Sequence, residues 1–263
     1  MSDIREEVRR KYTDAIRRQS ASCCCGKDCG SDPVTEGNYD RQELAERLDG
    51  LEIPSFGCGN PTALAAIEEG ETVLDLGSGA GLDVFLASLQ VGPSGHVYGL
   101  DMTEAMLEEA EKNRRRAGME NVSFIRGEME AIPLPDGSVD RVLSNCVVNL
   151  SPDKDQVLRE IFRVLRRGGR MALSDIVLLR PLPPSVQASV AAWTGCIAGA
   201  LPVDVFRAKI DAVPFDDVTI TLTKIYAFSD DEAAELFPDL SEEDRRLASG
   251  TVASAFISAV KGL

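Results

Sequence analysis

Residues Thr72 to Gly81, reading TVLDLGSGAG, constrain the fold of this chain more than any other segment. Val73, Leu74 and Leu76 form a short apolar run of the kind that becomes a buried strand. Gly77, Gly79 and Gly81 follow at alternate positions, and Leu82-Asp-Val-Phe-Leu-Ala87 then carries apolar residues at helical spacing. Strand, glycine turn and helix start have the form of a nucleotide-binding βα turn. Such a turn needs glycine because the chain reverses sharply and a ligand must reach bare backbone.

The pattern after this turn alternates. Apolar runs predict strands at 72–76, 96–100, 121–126, 139–146 and 170–178, and helical periodicity predicts helices at about 82–90, 103–117 and 152–167. Thr103 and Ser151-Pro152 are start signals, and Gly118 and Gly168-Gly169 are stop signals. A βαβα order of this kind makes an α/β fold with a mostly parallel sheet and helices on both faces. Before it, Ile4, Val8, Tyr12 and Ile16 recur every fourth residue, giving a helix over 2–19 with one narrow apolar face. A cysteine-rich loop and a short helix at 40–50 follow, and Asn60-Pro61 opens a helix running to about Glu69. Arg180-Pro-Leu-Pro-Pro184 marks a boundary. Beyond it the pattern predicts helices at about 185–199 and 203–211, a half-buried strand over 218–226, and an acidic tail that becomes helical up to Ile257. The resulting division is 1–59, 60–180 and 181–263.

The 263 residues, 44% hydrophobic, suffice for one such domain with additions. No apolar run reaches the roughly 18 residues of a membrane helix, and Met1–Arg18 is too charged for a signal peptide. The expectation is a cytoplasmic protein with no membrane partner. A net charge of −15 argues against nucleic acid. Seven cysteines in a reducing cell are thiols, redox pairs or soft-metal ligands, not a disulfide framework. The single histidine, His96, stands at a strand entry, so chemistry built on a histidine base has no other candidate.

Four details narrow the ligand of the glycine turn. Asp75 lies inside the strand, two residues before Gly77. The spacing is Gly-x-Gly-x-Gly, not Gly-x-Gly-x-x-Gly. Asp101 ends the next strand, where a carboxylate can accept hydrogen bonds from ribose hydroxyls. Gly127-Glu128-Met129 follows the third strand, facing an adenine edge. Asp75 and Asp101 could singly be turn or helix caps, but together at strand ends they converge on one crevice. This constellation, over about residues 60–180, resembles the class I S-adenosylmethionine-dependent methyltransferases. The resemblance implies a Rossmann-like sheet with an N-terminal helical and loop segment and an appended C-terminal α+β region. It also implies S-adenosylmethionine held by Asp75, Gly77, Ser78, Gly79, Gly81, Asp101, Met102, Gly127, Glu128 and Met129, with Asn145 facing the sulfonium and its methyl.

The cysteines sharpen the reading. Cys58 precedes the helix that leads into the cofactor strand, Cys146 ends the fourth strand, and Cys196 lies in the appended region. A free cysteine is often a small buried hydrophobe. Yet Ser144-Asn-Cys-Val-Val-Asn-Leu150, Gly57-Cys58-Gly59, Gly195-Cys196 and the early cluster Cys23-Cys24-Cys25 are together similar to the arsenite S-adenosylmethionine methyltransferases, from about residue 5 to about 228. That resemblance implies arsenite or methylarsenite as substrate, with Cys58, Cys146 and Cys196 as As(III) ligands. It also implies a redox role for Cys23, Cys24 or Cys25, a disulfide with Cys58 during turnover, and restoration by a small thiol or a thioredoxin-type reductant. The chemistry agrees. Arsenic(III) is soft and prefers thiolates. Its lone pair can attack a sulfonium methyl without a general base, which suits a chain almost without histidine. A monomer is the working expectation. The competing readings are methylation of a small organic acceptor such as a quinone precursor, and a thiol-based sensor holding zinc. The sensor reading suffers because adjacent cysteines lack C-x-x-C pairs.

Overall fold

The structure, a computed structural model, describes residues 4–21, 48, 53–54, 57, 59–182, 184, 197, 199–236 and 240–263. The expected helices at 40–50 and 185–199 fall almost wholly outside these residues. So do Cys23, Cys24, Cys25, Cys58 and Cys196.

Helix α1 (Ile4–Ala21) follows the four-residue apolar spacing, and Val8 and Ile16 on that face are buried. α2 (Pro61–Leu64) is a single turn capped by Asn60, whose Oδ1 accepts from the Ala63 amide at 3.0 Å. The expected helix to Glu69 stops there. Ala66 takes φ 48° and its carbonyl accepts from Arg141 Nη2, so the chain bends onto the sheet instead of continuing as helix.

The strand–helix alternation then proceeds as read: β1 (Thr72–Leu76), α3 (Leu82–Val91), β2 (His96–Asp101), α4 (Glu104–Ala117), β3 (Val122–Arg126), β4 (Val139–Asn145), a 3-10 turn at Val148–Leu150, α5 (Lys154–Val164) and β5 (Leu165–Leu178). Two boundaries differ. Asp153, not Ser151, caps α5, its side chain accepting from the Gln156 amide. α5 also ends at Val164, and Gly168-Gly169 lie in an irregular start of β5, where the register with β4 jumps from Val139–Leu165 to Arg141–Arg170.

After the two-residue strand β6 (Leu201–Pro202) come α6 (Val203–Asp211), β7 (Phe215–Ile225), α7 (Asp230–Leu236), α8 (Glu242–Ala248) and β8 (Val252–Lys261). The tail expected to be helical up to Ile257 is therefore largely a strand. β8 pairs antiparallel with β5, from Val252–Leu178 to Val260–Arg170, and antiparallel with β7 on its other side. Its alanines and Ile257 are buried because a strand in that slot has layers or neighbours on every side. Tertiary placement overrides the helical preference of Ala-rich sequence.

The sheet order is β3-β2-β1-β4-β5-β8-β7, with β6 appended to β5. β1 runs parallel to β2 on one side and β4 on the other, so the order reverses beside β1. α3 packs on one face, where Val84, Phe85 and Leu86 meet Val73, Val97 and Leu143. α5 and α6 cover the other, where Leu158, Ile161 and Phe206 meet Leu74, Leu76 and Leu173. Each large apolar side chain removed from water here contributes roughly 1.5–3 kcal/mol. Ligands of such sheets bind outside the carboxyl ends of the strands at the reversal.

Candidate active site

A cavity opens at that position, with about 1020 Å³ of empty space including its mouth. The glycine turn forms its floor. Gly77 and Ser78 donate their amides to the Leu100 carbonyl, and Gly79 donates to Asp101 Oδ2 at 2.9 Å. Asp101 Oδ1 accepts from the Thr103 amide at 2.7 Å. The β2 carboxylate thus ties the turn to the start of α4.

Asp75, Gly77, Ser78, Gly79, Asp101, Met102, Gly127, Glu128, Met129 and Asn145 all line the cavity, as does Cys146. Gly81 stands behind it as the N-cap of α3, at φ 98°. His96 is at the opposite end of β2, its Nε2 3.0 Å from Ser123 Oγ, and partial burial holds its pKa down.

Sequence reading missed several wall residues. Arg5, Val8 and Tyr12 of α1 face the cavity, and Arg5 pairs with Glu128 at 3.5 Å and Glu130 at 3.3 Å. The apolar spacing of α1 revealed a sticky face but carried no mark of its destination. Asp83, in the first turn of α3, was hidden among the apolar residues of that helix.

Electrostatics favour a cation. Burial first, then the nearby carboxylates of Asp83 and Asp101, push the Asp75 carboxyl well above its ordinary pKa. Burial also raises Asp101, against the amide hydrogen bonds that lower it. With Asp75 and Asp101 both raised in one concavity, a positive ligand would favour their charged forms. Ser78 Oγ is buried and has no hydrogen-bond partner among the described residues, and a Cβ at Gly79 would meet nothing within 4 Å. An orphaned hydroxyl, open glycine backbone and a carboxyl cluster fit a ligand carrying both hydrogen-bonding groups and positive charge. S-adenosylmethionine has an ammonium and a sulfonium.

Cys146 follows the last residue of β4 at φ 60°, a left-handed conformation that costs a non-glycine residue about 1–2 kcal/mol. Its amide donates to the Ser174 carbonyl at 2.8 Å, and it is buried at the cavity wall. It is disulfide-bonded, and no other cysteine lies among the described residues. The loop after it is held from behind: Asp175 accepts from the Asn149 amide and from Asn149 Nδ2 (2.8 Å), and burial raises its pKa to about 7. Lys154 Nζ donates to the Asn149 and Ser151 carbonyls.

The Asn145 side chain, at the cavity wall, is also hydrogen-bonded within the protein. Its Oδ1 accepts from the Gly59 amide at 3.1 Å. Its Nδ2 donates to the Gly59 carbonyl at 2.8 Å and to Asp83 Oδ2 at 3.1 Å. Among the described residues no group of three or more His, Cys, Asp or Glu side chains is arranged to hold a metal ion, and no helix is long and apolar enough to cross a membrane.

A sheet of this order, reversing over a glycine turn with acidic residues at the ends of β1 and β2, defines a class I S-adenosylmethionine-dependent methyltransferase. Comparison with known proteins agrees: a methyltransferase-domain family matches residues 67–241. The arsenite methyltransferase of Halobacterium salinarum is 43% identical over 98% of this chain and 67% of its own length. The human arsenite methyltransferase is 34% identical over 85% of this chain. The chain spans about two thirds of the haloarchaeal relative and 62% of the human one. The crystal structure of an arsenic(III) S-adenosylmethionine methyltransferase from Chlamydomonas reinhardtii superposes with a TM-score of 0.66 at 34% identity, covering 84% of this chain and 73% of that one. The chain belongs to the arsenite methyltransferase family.

Proposed function

We propose that this chain, once the disulfide at Cys146 is reduced, methylates trivalent arsenic, with Cys58, Cys146 and Cys196 as the thiolates that hold it. The observation that carries this reading is the left-handed turn placing Cys146 on the wall of the same cavity that the glycine turn and Asp101 line. Family membership supports it along nearly the whole chain. A small organic acceptor gives no reason for a strained cysteine at that wall.

In this reading Gly77, Ser78 and Gly79 receive the methionine part, Asp75 faces its cationic end, Asp101 and Met102 take the ribose and adenine, and Glu128 and Met129 border the adenine. When bound, S-adenosylmethionine supplies an electrophilic methyl on a sulfonium. Each thiol proton leaves with an arsenite hydroxyl as water while an As–S bond forms. The arsenic lone pair would be the nucleophile toward that methyl, and because it carries no proton no residue of the chain need act as a base. Alignment of arsenic with that methyl is what the protein adds, where effective molarity supplies several kcal/mol. The product arsenic is oxidised by two electrons. Thiols of Cys23, Cys24 or Cys25 with Cys58 return them by forming a disulfide, which a small thiol or thioredoxin-type reductant reopens. That requirement favours a reducing compartment such as the cytoplasm, and a monomer suffices for the chemistry. Residues 60–180 act as the cofactor-binding part, 1–59 carry the redox cysteines, and 181–263 carry Cys196.

The test is S-adenosylhomocysteine formation with arsenite and a thiol reductant. Turnover above the no-arsenite control, lost in Cys146→Ser, is expected. Turnover no higher than the control overturns the reading.

A further inference from the structure

The side chain of Asn145 joins two parts of the molecule, the Gly59 backbone and the first turn of α3. On one side it clasps both backbone groups of Gly59, and on the other it reaches Asp83 in the first turn of α3, the helix that the glycine turn opens. Gly57 packs directly on it: a Cβ there would fall 2.2 Å from Asn145 Cγ. Gly59 packs as closely on the neighbouring strand, where a Cβ would fall 2.7 Å from Ser174 Cβ. Ser174 also holds Cys146, by accepting its amide hydrogen. Beyond Cys146, Val147 rests against the glycine turn, since a Cβ at Gly77 would lie 2.4 Å from Val147 Cγ1. Gly57 on Asn145, Gly59 on Ser174 and Gly77 on Val147 thus each leave no room for a methyl group, at three contacts around Cys146. In a close-packed region a displacement of one partner must move the others.

We infer that Asn145 is a positioning residue that couples the two substrates: it locks the Gly57–Gly59 loop to the first turn of α3, so that occupancy of the methyl-donor site and ligation of arsenic strengthen each other. This deepens the proposed function and rests on it. Asn145 touches neither reacting atom in this scheme. It acts through Gly59 on one thiol loop and through Asp83 on the cofactor helix. Coupling between two sites is reciprocal, and couplings of this kind typically amount to about 5–150-fold in affinity.

The experiment uses the full reduced chain, with S-adenosylhomocysteine as probe, titrated calorimetrically with and without saturating arsenite. In the wild type, arsenite is expected to tighten the probe at least about fivefold. In Asn145→Ala that ratio falls to within twofold of one, whatever the affinity for the probe without arsenite becomes, since Asn145 also lines the cavity. At the same time the KM for arsenite rises more than kcat falls. Asn145→Asp sets two carboxylates against each other and loses the coupling too. Combining it with Asp83→Asn restores an amide–carboxylate pair in reversed order and recovers part of the ratio, which a merely structural defect does not allow. Gly57→Ala attacks the same joint from the loop side and reports independently if an Asn145 variant fails to fold. A wild-type ratio of one with arsenite bound and turned over, an unchanged ratio in Asn145→Ala, or no recovery in the double variant overturns the inference and leaves the proposed function standing. A wild type that binds no arsenite overturns both.

Discussion

Cys146 bears a cost that its neighbours do not. Its left-handed backbone disfavours any residue with a Cβ, and glycine would relieve it. In the reduced protein, Cys146→Gly is expected to be more stable than Cys146→Ser by about 1 kcal/mol, with methylation abolished in both, as urea denaturation and methyl-transfer assays would show. A serine variant as stable as the glycine variant would mean that the turn is not strained. Asp75 gives a second residue-scale outcome. Its carboxyl, raised by burial and by Asp83 and Asp101, binds a proton more tightly in the fold than in the unfolded chain. That contribution to stability is therefore present at low pH and lost as pH rises through the raised value. A cationic ligand reverses the preference. Binding of S-adenosylmethionine should release protons and tighten as pH rises through that range, seen as a binding enthalpy that depends on the ionisation heat of the buffer. Asp75→Asn should bind more weakly and lose most of this dependence. Of the residues read as facing the cofactor, most stand at the cavity wall because they lie at strand ends, and strand ends follow from local pattern. Asn145 stands there too: its position at the end of β4 is readable, but its hydrogen bonds to Gly59 and Asp83, 86 and 62 residues away, are not.

At the scale of elements, α1 shows how a helix with little independent stability becomes part of a site. Eighteen residues rich in charge are marginal as an isolated helix. Val8 docks into the cluster around Cys146, Leu150 and Ile176, and Ile16 meets Ala80 and Met106. The ion pairs of Arg5 with Glu128 and Glu130 are partly exposed and add little by themselves. The apolar face therefore holds the helix over the cavity. Val8→Asp should release it, weakening S-adenosylhomocysteine binding at least about tenfold, equivalent to roughly 1.4 kcal/mol, while the core melts within a few degrees of the wild type. Equal affinity in calorimetry would mean that α1 does not help to close the site.

For the whole molecule the decisive element is β8. It comes last in the chain, yet it lies between β5 and β7 and completes the sheet over α5 and α6. Deleting Val252–Lys261 should leave β5 with an unpaired edge and an exposed apolar face, giving aggregation and no cooperative unfolding transition; a cooperative transition in the truncated chain would show that β8 is dispensable. By itself the sequence determined the parallel half of the sheet, the glycine turn, the acidic strand ends and the class of ligand. Those depend on hydrophobic period, on glycine's backbone freedom and on charge, all of which act within a few residues. Only the tertiary structure decided that the Ala-rich tail is a strand, that α2 stops after one turn, that α1 walls the cavity, and that Asn145 binds Gly59 and Asp83 at the cavity wall. Each of these is fixed by packing between residues distant in sequence, where the neighbour across the gap sets the conformation and local preference does not.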